Sequence, residues 1–416
     1  MKAAFTFISA ILLACAADMT AQTTDGQWSG NLILGQGKEL PLVLNIATGS
    51  DGKPSCTLDS PMQGAKGIKT EVNVLTADSI NITVPDIAAT YAGRITKDLI
   101  TGRFTQMGMP FRLDLKRGGV VMNRPQTPPP PPPLGYTTQE VSFENKAAGA
   151  VLSGTLTWPE GYDGKKPVPV VIMVSGSGLQ NRDEEVFGHK PFLVLADRLA
   201  RNGIASLRYD DRGTGKSTGD AAKATTADFM NDAAAGLDML RGMHGKFSRI
   251  GVIGHSEGGT IAFMLAADGN ADFIVSLAGT GVKGDTIVAG QSNDALRRMG
   301  QPADVTAADI RKQAETEGNA WLRYFVNYDP ADVIASTTCP VMALNGTMDT
   351  QVKPRLNLDR IKSLLPHNPK NMIKEYDGLN HLFQHCTTGY ADEYGAIEET
   401  MSEDVMKDIA GWINSL

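Results

Sequence analysis

Arg249-Ile250-Gly251-Val252-Ile253 runs directly into Gly254-His255-Ser256-Glu257-Gly258-Gly259-Thr260. The first five residues have the apolar, β-branched character of a buried strand, and Ile261–Ala266 beyond them reads as an apolar helix. Between the two lies Gly-x-Ser-x-Gly. A chain that turns sharply from strand to helix strains its backbone, and glycines beside the turn remove the β-carbons that would collide there. Such a turn lifts a serine hydroxyl clear of the sheet, where it can act as a nucleophile. The bland alternative is a tight turn with an inert serine, and the strand-before, helix-after context argues against it.

The segments on either side extend the pattern. Val168–Val174 is a continuous apolar run, as expected of a strand buried on both faces. Phe192–Arg201 reads as a helix, Ile204–Arg208 as a short strand, and Ala227–Met243 as a helix leading into Arg249–Ile253. Further strands are expected at Phe273–Leu277, Val341–Leu344 and Met372–Tyr376, with a closing helix near Glu399–Ile413. This alternation implies an α/β fold, a mostly parallel sheet covered by helices.

A serine nucleophile needs a base, and the base needs an orienting carboxylate. In such folds the chain order is serine, acid, histidine. Of six histidines, His367, His381 and His385 lie late enough. His381 follows strand Met372–Tyr376 through Asp377-Gly378-Leu379-Asn380, at a strand's C-terminal end, where these sheets gather catalytic groups. His385 is its rival, with a surface loop residue as its bland reading, and His367 sits in a proline-flanked turn before a strand. For the acid, Val341–Leu344 leads into Asn345-Gly346-Thr347-Met348-Asp349. Asp349 is preferred over Asp377, Asp332 and Asp359. An oxyanion hole is the third requirement. One backbone N–H is expected from Glu257, the residue after the nucleophile. The other is expected from the loop Ser175-Gly176-Ser177-Gly178-Leu179-Gln180-Asn181-Arg182-Asp183, with Ser177 favoured over Gly178 and Leu179.

The GHSEGG turn, the NGTMD acid turn, the GLNH histidine turn and RYDDRGTGKS together resemble the α/β-hydrolase superfamily from Val141 onward. The layout is similar to bacterial serine carboxylesterases with a β-rich N-terminal domain. In that family a His-Gly usually precedes the oxyanion residue, whereas this chain has Ser175-Gly176. The resemblance implies a catalytic domain over 137–416 and a helical cap over about 280–335 carrying Met299, Trp321, Tyr324 and Phe325. It also implies that Arg208–Ser217 is a structural loop beside the site. A phosphate-binding reading of that segment fails, because the Walker pattern needs glycine where Asp210 stands. Gly176-x-Gly178 likewise lacks its third glycine, since position 181 is Asn181.

The rest of the chain bounds the setting. Net charge is −7 from 39 Lys+Arg and 46 Asp+Glu, with no basic stripe, so nucleic acid is not an expected partner. Met1-Lys2 and the apolar Ala3–Ala17 describe a secretory signal, taken as 1–21, with cleavage after Ala21 or after Ala16. Leu12-Leu13-Ala14-Cys15 has an alternative reading as a lipobox with a lipid anchor at Cys15. A periplasmic or secreted protein with no transmembrane segment after signal removal is expected. Of the four cysteines, Cys339 and Cys386 could pair in an oxidising compartment, or remain buried thiols beside Cys56.

Six consecutive prolines, Pro128–Pro133, favour a stiff polyproline II rod of roughly 19 Å within a linker over 119–136. Before it, over 25–118, the pattern has period two. Leu40, Leu42, Leu44 and Ile46, then Ile80, Ile82 and Val84, then Phe111, Leu113 and Leu115 alternate with other residues. A small antiparallel all-β domain is expected, a barrel or sandwich with no catalytic constellation.

The expected function is a secreted serine hydrolase acting on small-molecule carboxylic esters, chiefly of short acyl chains, through an acyl-enzyme. Ser256, Asp349 and His381 carry the chemistry, without metal or cofactor. A serine aminopeptidase or prolyl-oligopeptidase-like peptidase is the alternative, although 25–118 leaves no room for a propeller. A non-catalytic ligand-binding protein on a hydrolase scaffold is the second alternative, and it predicts a damaged triad.

Overall fold

In the computed structural model, residues 24–33, 39–61, 65–106, 108–118, 134–317 and 319–416 are described. The expected signal segment, Cys15 and the proline run lie outside them. The chain divides into two compact units, Met1–Met122 and Asn123–Leu416.

The first unit is a nearly closed antiparallel sheet of nine strands. They are β1 (Gly26–Ile33), β2 (Glu39–Thr48), β3 (Pro54–Ser60), β4 (Ala65–Lys69) and β5 (Glu71–Leu75). After these come β6 (Ser79–Val84), β7 (Ala89–Ile95), β8 (Leu99–Gln106) and β9 (Met109–Arg117). Their spatial order is β4-β3-β2-β1-β9-β8-β7-β6-β5, so the two ends of the sheet are consecutive in the chain. The period-two apolar sets face one interior: Leu42, Leu44, Ile46, Ile80, Ile82, Val84, Leu113 and Leu115 are all buried together with Trp28.

The second unit holds an eight-stranded sheet in the order β10-β11-β13-β12-β14-β15-β16-β17. Its strands are β10 (Thr137–Asn145), β11 (Ala150–Trp158), β12 (Val168–Val174), β13 (Ala205–Tyr209) and β14 (Phe247–His255), followed by β15 (Phe273–Leu277), β16 (Val341–Gly346) and β17 (Met372–Tyr376). From β13 to β17 every pairing is parallel, while β10 and β11 form an antiparallel edge that the apolar runs do not announce. Along β12, Val170, Ile172 and Val174 face one apolar layer, and Val171 and Met173 face the other. On the first side lie α2 (Thr226–Gly242), α3 (Glu257–Ala267), α7 (Ala331–Ser336) and α8 (Pro354–Leu364); on the second lie α1 (Pro191–Arg201) and α10 (Glu403–Ser415). This is the α/β-hydrolase architecture, preceded in the chain by a small antiparallel domain.

The segment expected as a cap, about 280–335, holds α4 (Gly284–Arg298), α5 (Ala307–Glu317), α6 (Ala320–Asn327) and most of α7. The closing helix starts at Glu403 rather than near Glu399. The Glu399 carboxylate instead accepts hydrogen bonds from the His385 N–H and Nδ1, and the Ser402 N–H is held by the Phe383 carbonyl. Cys56, Cys339 and Cys386 are free thiols. Among the described residues no helix is long and apolar enough to cross a membrane.

Ile172, fully buried at the centre of the sheet, tests this layering. Ile172→Ala is expected to destabilise the second unit by about 2–5 kcal/mol, read as a lower urea midpoint by circular dichroism. An unchanged midpoint would mean that β12 is not central.

Candidate functional site

Strand order reverses at β12, which lies between β13 and β14. In open parallel sheets that reversal opens a crevice at the carboxyl ends of the strands. The loop after β12, the turn after β14, and the segments after β16 and β17 all leave from those ends.

Ser256 sits at the β14–α3 turn with φ 54° and ψ −116°, a left-handed backbone that a non-glycine residue adopts at a cost. Two residues to either side, Gly254 and Gly258 avoid clashes because they lack a β-carbon. A β-carbon on Gly254 would lie 1.9 Å from the Gly258 carbonyl oxygen, and one on Gly258 would lie 2.1 Å from that of Val174. The turn is anchored by the Ser256 N–H, which donates to the Leu277 carbonyl at 2.8 Å.

The acid and histidine turns touch each other. A β-carbon on Gly346, the last residue of β16, would lie 2.1 Å from the Leu379 carbonyl oxygen. Asp349 is buried, and its Oδ1 accepts the N–H groups of Gln351 and Val352 at 2.8 and 2.9 Å. Its Oδ2 takes the Nδ1–H of buried His381 at 2.7 Å. A carboxylate on Nδ1 fixes the tautomer and leaves Nε2 as the basic nitrogen. The ring of His255, the residue before Ser256, lies 4.7 Å from that of His381, centroid to centroid. No hydrogen bond joins Ser256 Oγ to His381 Nε2 among the described residues; such bonds often tighten only when substrate binds. The rivals lie elsewhere. His367 is exposed, and exposed His385 pairs with Glu399. Asp332 and Asp359 are exposed, and exposed Asp377 accepts the Thr347 hydroxyl.

In the loop after β12, two N–H groups are already committed. That of Gly176 donates to Glu184 Oε1 at 2.7 Å, and that of Gln180 to Asp211 at 2.8 Å. Ser177, Gly178 and Leu179, the candidates for the second oxyanion N–H, lie between them. The N–H of Glu257, first residue of α3, has no partner in its own helix. The Glu257 side chain is itself buried, bound by the Thr226 hydroxyl at 2.6 Å and by Trp321 Nε1 of α6 at 2.8 Å. Burial raises its pKa against the lowering effect of those donors. Trp321 stacks on Phe325, with centroids 5.2 Å apart, so the cap aromatics reach the first turn of α3.

RYDDRGTGKS is a staple. Asp210 binds Arg182 at 2.8 Å, Asp211 takes the Ser175 hydroxyl and the Gln180 N–H, and Arg212 pairs with Asp232 at 2.7 Å. Burial, assisted by the nearby charges of Glu184 and Asp232, pushes the Asp211 carboxyl up to about 8. Glu184 and His255 are the residues that motif reading passed over: one stands at the end of the glycine loop, the other as the variable position of Gly-x-Ser-x-Gly. No cluster of His, Cys, Asp and Glu among the described residues is arranged to hold a metal ion.

Residues 190–310 match the family described as "Serine aminopeptidase, S33". The esterase EstD of Thermotoga maritima is 27% identical over 243 residues, covering 56% of this chain and 58% of EstD. The chain thus spans little more than half the length of that curated relative. Among solved structures, the Pyrococcus furiosus esterase Pf2001 is 17% identical with a TM-score of 0.48, over 72% of this chain and 99% of that one. Est1E of Butyrivibrio proteoclasticus, solved with ferulic acid, is 18% identical with a TM-score of 0.47, over 66% and 98%.

The raised Asp211 carboxyl predicts a pH effect. With a folded value of about 8 against roughly 3.9 when unfolded, the folded state holds a proton that the unfolded chain releases. Stability from this group therefore falls as pH rises between those values. Asp211→Asn is expected to flatten the decline in urea midpoint from pH 5 to 9, and an unaltered slope would contradict it.

Proposed function

Proceeding from the α/β-hydrolase fold, we propose that this chain is a serine hydrolase that cleaves carboxylic esters through an acyl-enzyme. The observation that carries the reading is the Asp349–His381 hydrogen bond of 2.7 Å at strand ends beside the strained Ser256 turn. In this mechanism His381 Nε2 takes the Ser256 proton as Oγ attacks the ester carbonyl. Asp349 holds the ring and stabilises the imidazolium that forms. The N–H groups of Glu257 and Ser177 receive the developing oxyanion. His381 then protonates the leaving alcohol, and water releases the acid by the same steps in reverse.

Short acyl chains are the expected substrates, with Trp321 bonded to Glu257, the residue next to Ser256. The second reading, a serine aminopeptidase, is favoured by the family match over 190–310. The proposal includes export from the cytoplasm, supported by Lys2 and the apolar Ala3–Ala17, with lipidation at Cys15 as the other fate of that segment.

Ser256→Ala is expected to abolish hydrolysis of p-nitrophenyl acetate without lowering Tm, and Asp349→Asn to cut kcat by about 10,000-fold. Unchanged turnover in Ser256→Ala would sink the mechanism. Acetyl, butyryl and octanoyl esters assayed beside aminoacyl p-nitroanilides separate the two readings, with the acetyl and butyryl esters expected to turn over fastest.

A further inference from the structure

Behind the serine turn lies a second carboxylate–imidazole pair with no part in the chemistry above. Glu184 and His255 are 3% and 7% exposed, and Glu184 Oε1 lies 2.9 Å from His255 Nδ1. His255 Nε2 lies 3.0 Å from the main-chain carbonyl oxygen of His381. A carboxylate and a carbonyl both only accept, so both ring nitrogens must carry protons. His255 is therefore held as an imidazolium. Burial opposes that charge, but Glu184, the His381 carbonyl and the charge of Asp349 outweigh it and raise the His255 pKa.

The same pair reaches the other side of the site. Glu184 Oε1 also accepts the Gly176 N–H at 2.7 Å. Gly176 lies against the nucleophile, since a β-carbon placed on it would be 3.2 Å from Ser256 Cβ. Glu184 itself has a left-handed backbone, φ 51°, a strained conformation that the surrounding contacts must maintain. One carboxylate thus grips the oxyanion-side loop, and the cation it orients grips the histidine loop. That cation is the residue immediately before Ser256.

We propose that Glu184 and His255 form a positioning ion pair that holds the oxyanion loop, the serine turn and the histidine loop in one register. It rests on the serine-hydrolase reading and acts through Gly176, Ser256 and His381 rather than by touching substrate. Preorganised donors are effective only when their supporting contacts hold them in place.

Glu184→Gln keeps an acceptor for Gly176 but removes the charge, and His255→Gln removes the cation and one of its two donors. Each is expected to lower kcat for p-nitrophenyl acetate by roughly 10- to 100-fold with KM changed less than twofold. Because the two act as a unit, the double variant is expected to lose no more than the worse single variant. Unchanged kcat in both single variants, or a double loss equal to the product of the single ones, overturns the pair. Where a variant does not fold, nitrogen-15 NMR of the wild-type imidazoles decides: two ring N–H groups on His255 at pH 7.5 support the pair, and one overturns it. Ser256→Ala inactive beside a fully active Glu184→Gln refutes only the pair. Turnover retained in Ser256→Ala refutes the serine reading and takes the pair's catalytic role with it.

Discussion

The close approach of backbones at the β14–α3 turn governs the second unit. Gly254 and Gly258 admit no β-carbon, and Gly259 would place one 2.7 Å from the Gly279 Cα. This crowding lets α3 sit directly against the sheet, buried from Glu257 to Ala266. It leaves Ser256 as the one side chain that the turn can present. The strain at Ser256 persists because tightly packed layers on both faces of the sheet leave the chain no relaxed alternative.

The segments proposed to serve Ser256 arrive by different routes: Asp349 follows β16, His381 follows β17, the glycine loop follows β12, and the expected cap follows β15. Backbone bonds such as Met348 N–H to the Leu379 carbonyl hold part of this, and side-chain pairs hold more. Asp211 and Glu184 fix the glycine loop, Asp349 fixes His381, and Glu257 ties Trp321 of the cap to α3. Much of this second layer is buried and charged, which is costly unless each group is paired. The pairing of Arg212 with Asp232, and of Arg182 with Asp210, meets that demand.

Much of this arrangement is legible in the residues themselves. Val168–Val174 is a continuous apolar run, Phe273–Leu277 and Met372–Tyr376 are short strand-like segments, and the strands occupy those same spans. The Gly-x-Ser-x-Gly turn and Asp349 with His381 follow from strand ends and chain order. The edge strands β10 and β11 are less visible, because polar and exposed positions such as Glu140, Glu144 and Val151 dilute their apolar pattern. The start of α10 is misleading, since Glu398 and Glu399 favour a helix in isolation while His385 claims the Glu399 carboxylate. Glu184 and His255 are 71 residues apart, and no local spacing marks a pair that only the folded sheet assembles.

The central claim is that one serine, activated by His381, is the covalent nucleophile. Labelling with a fluorophosphonate, read by intact-mass and peptide mass spectrometry, tests it most directly. The account predicts a single adduct on Ser256, with none in Ser256→Ala and a strongly slowed reaction in His381→Ala. An adduct on another residue, or labelling indifferent to the loss of His381, would contradict it.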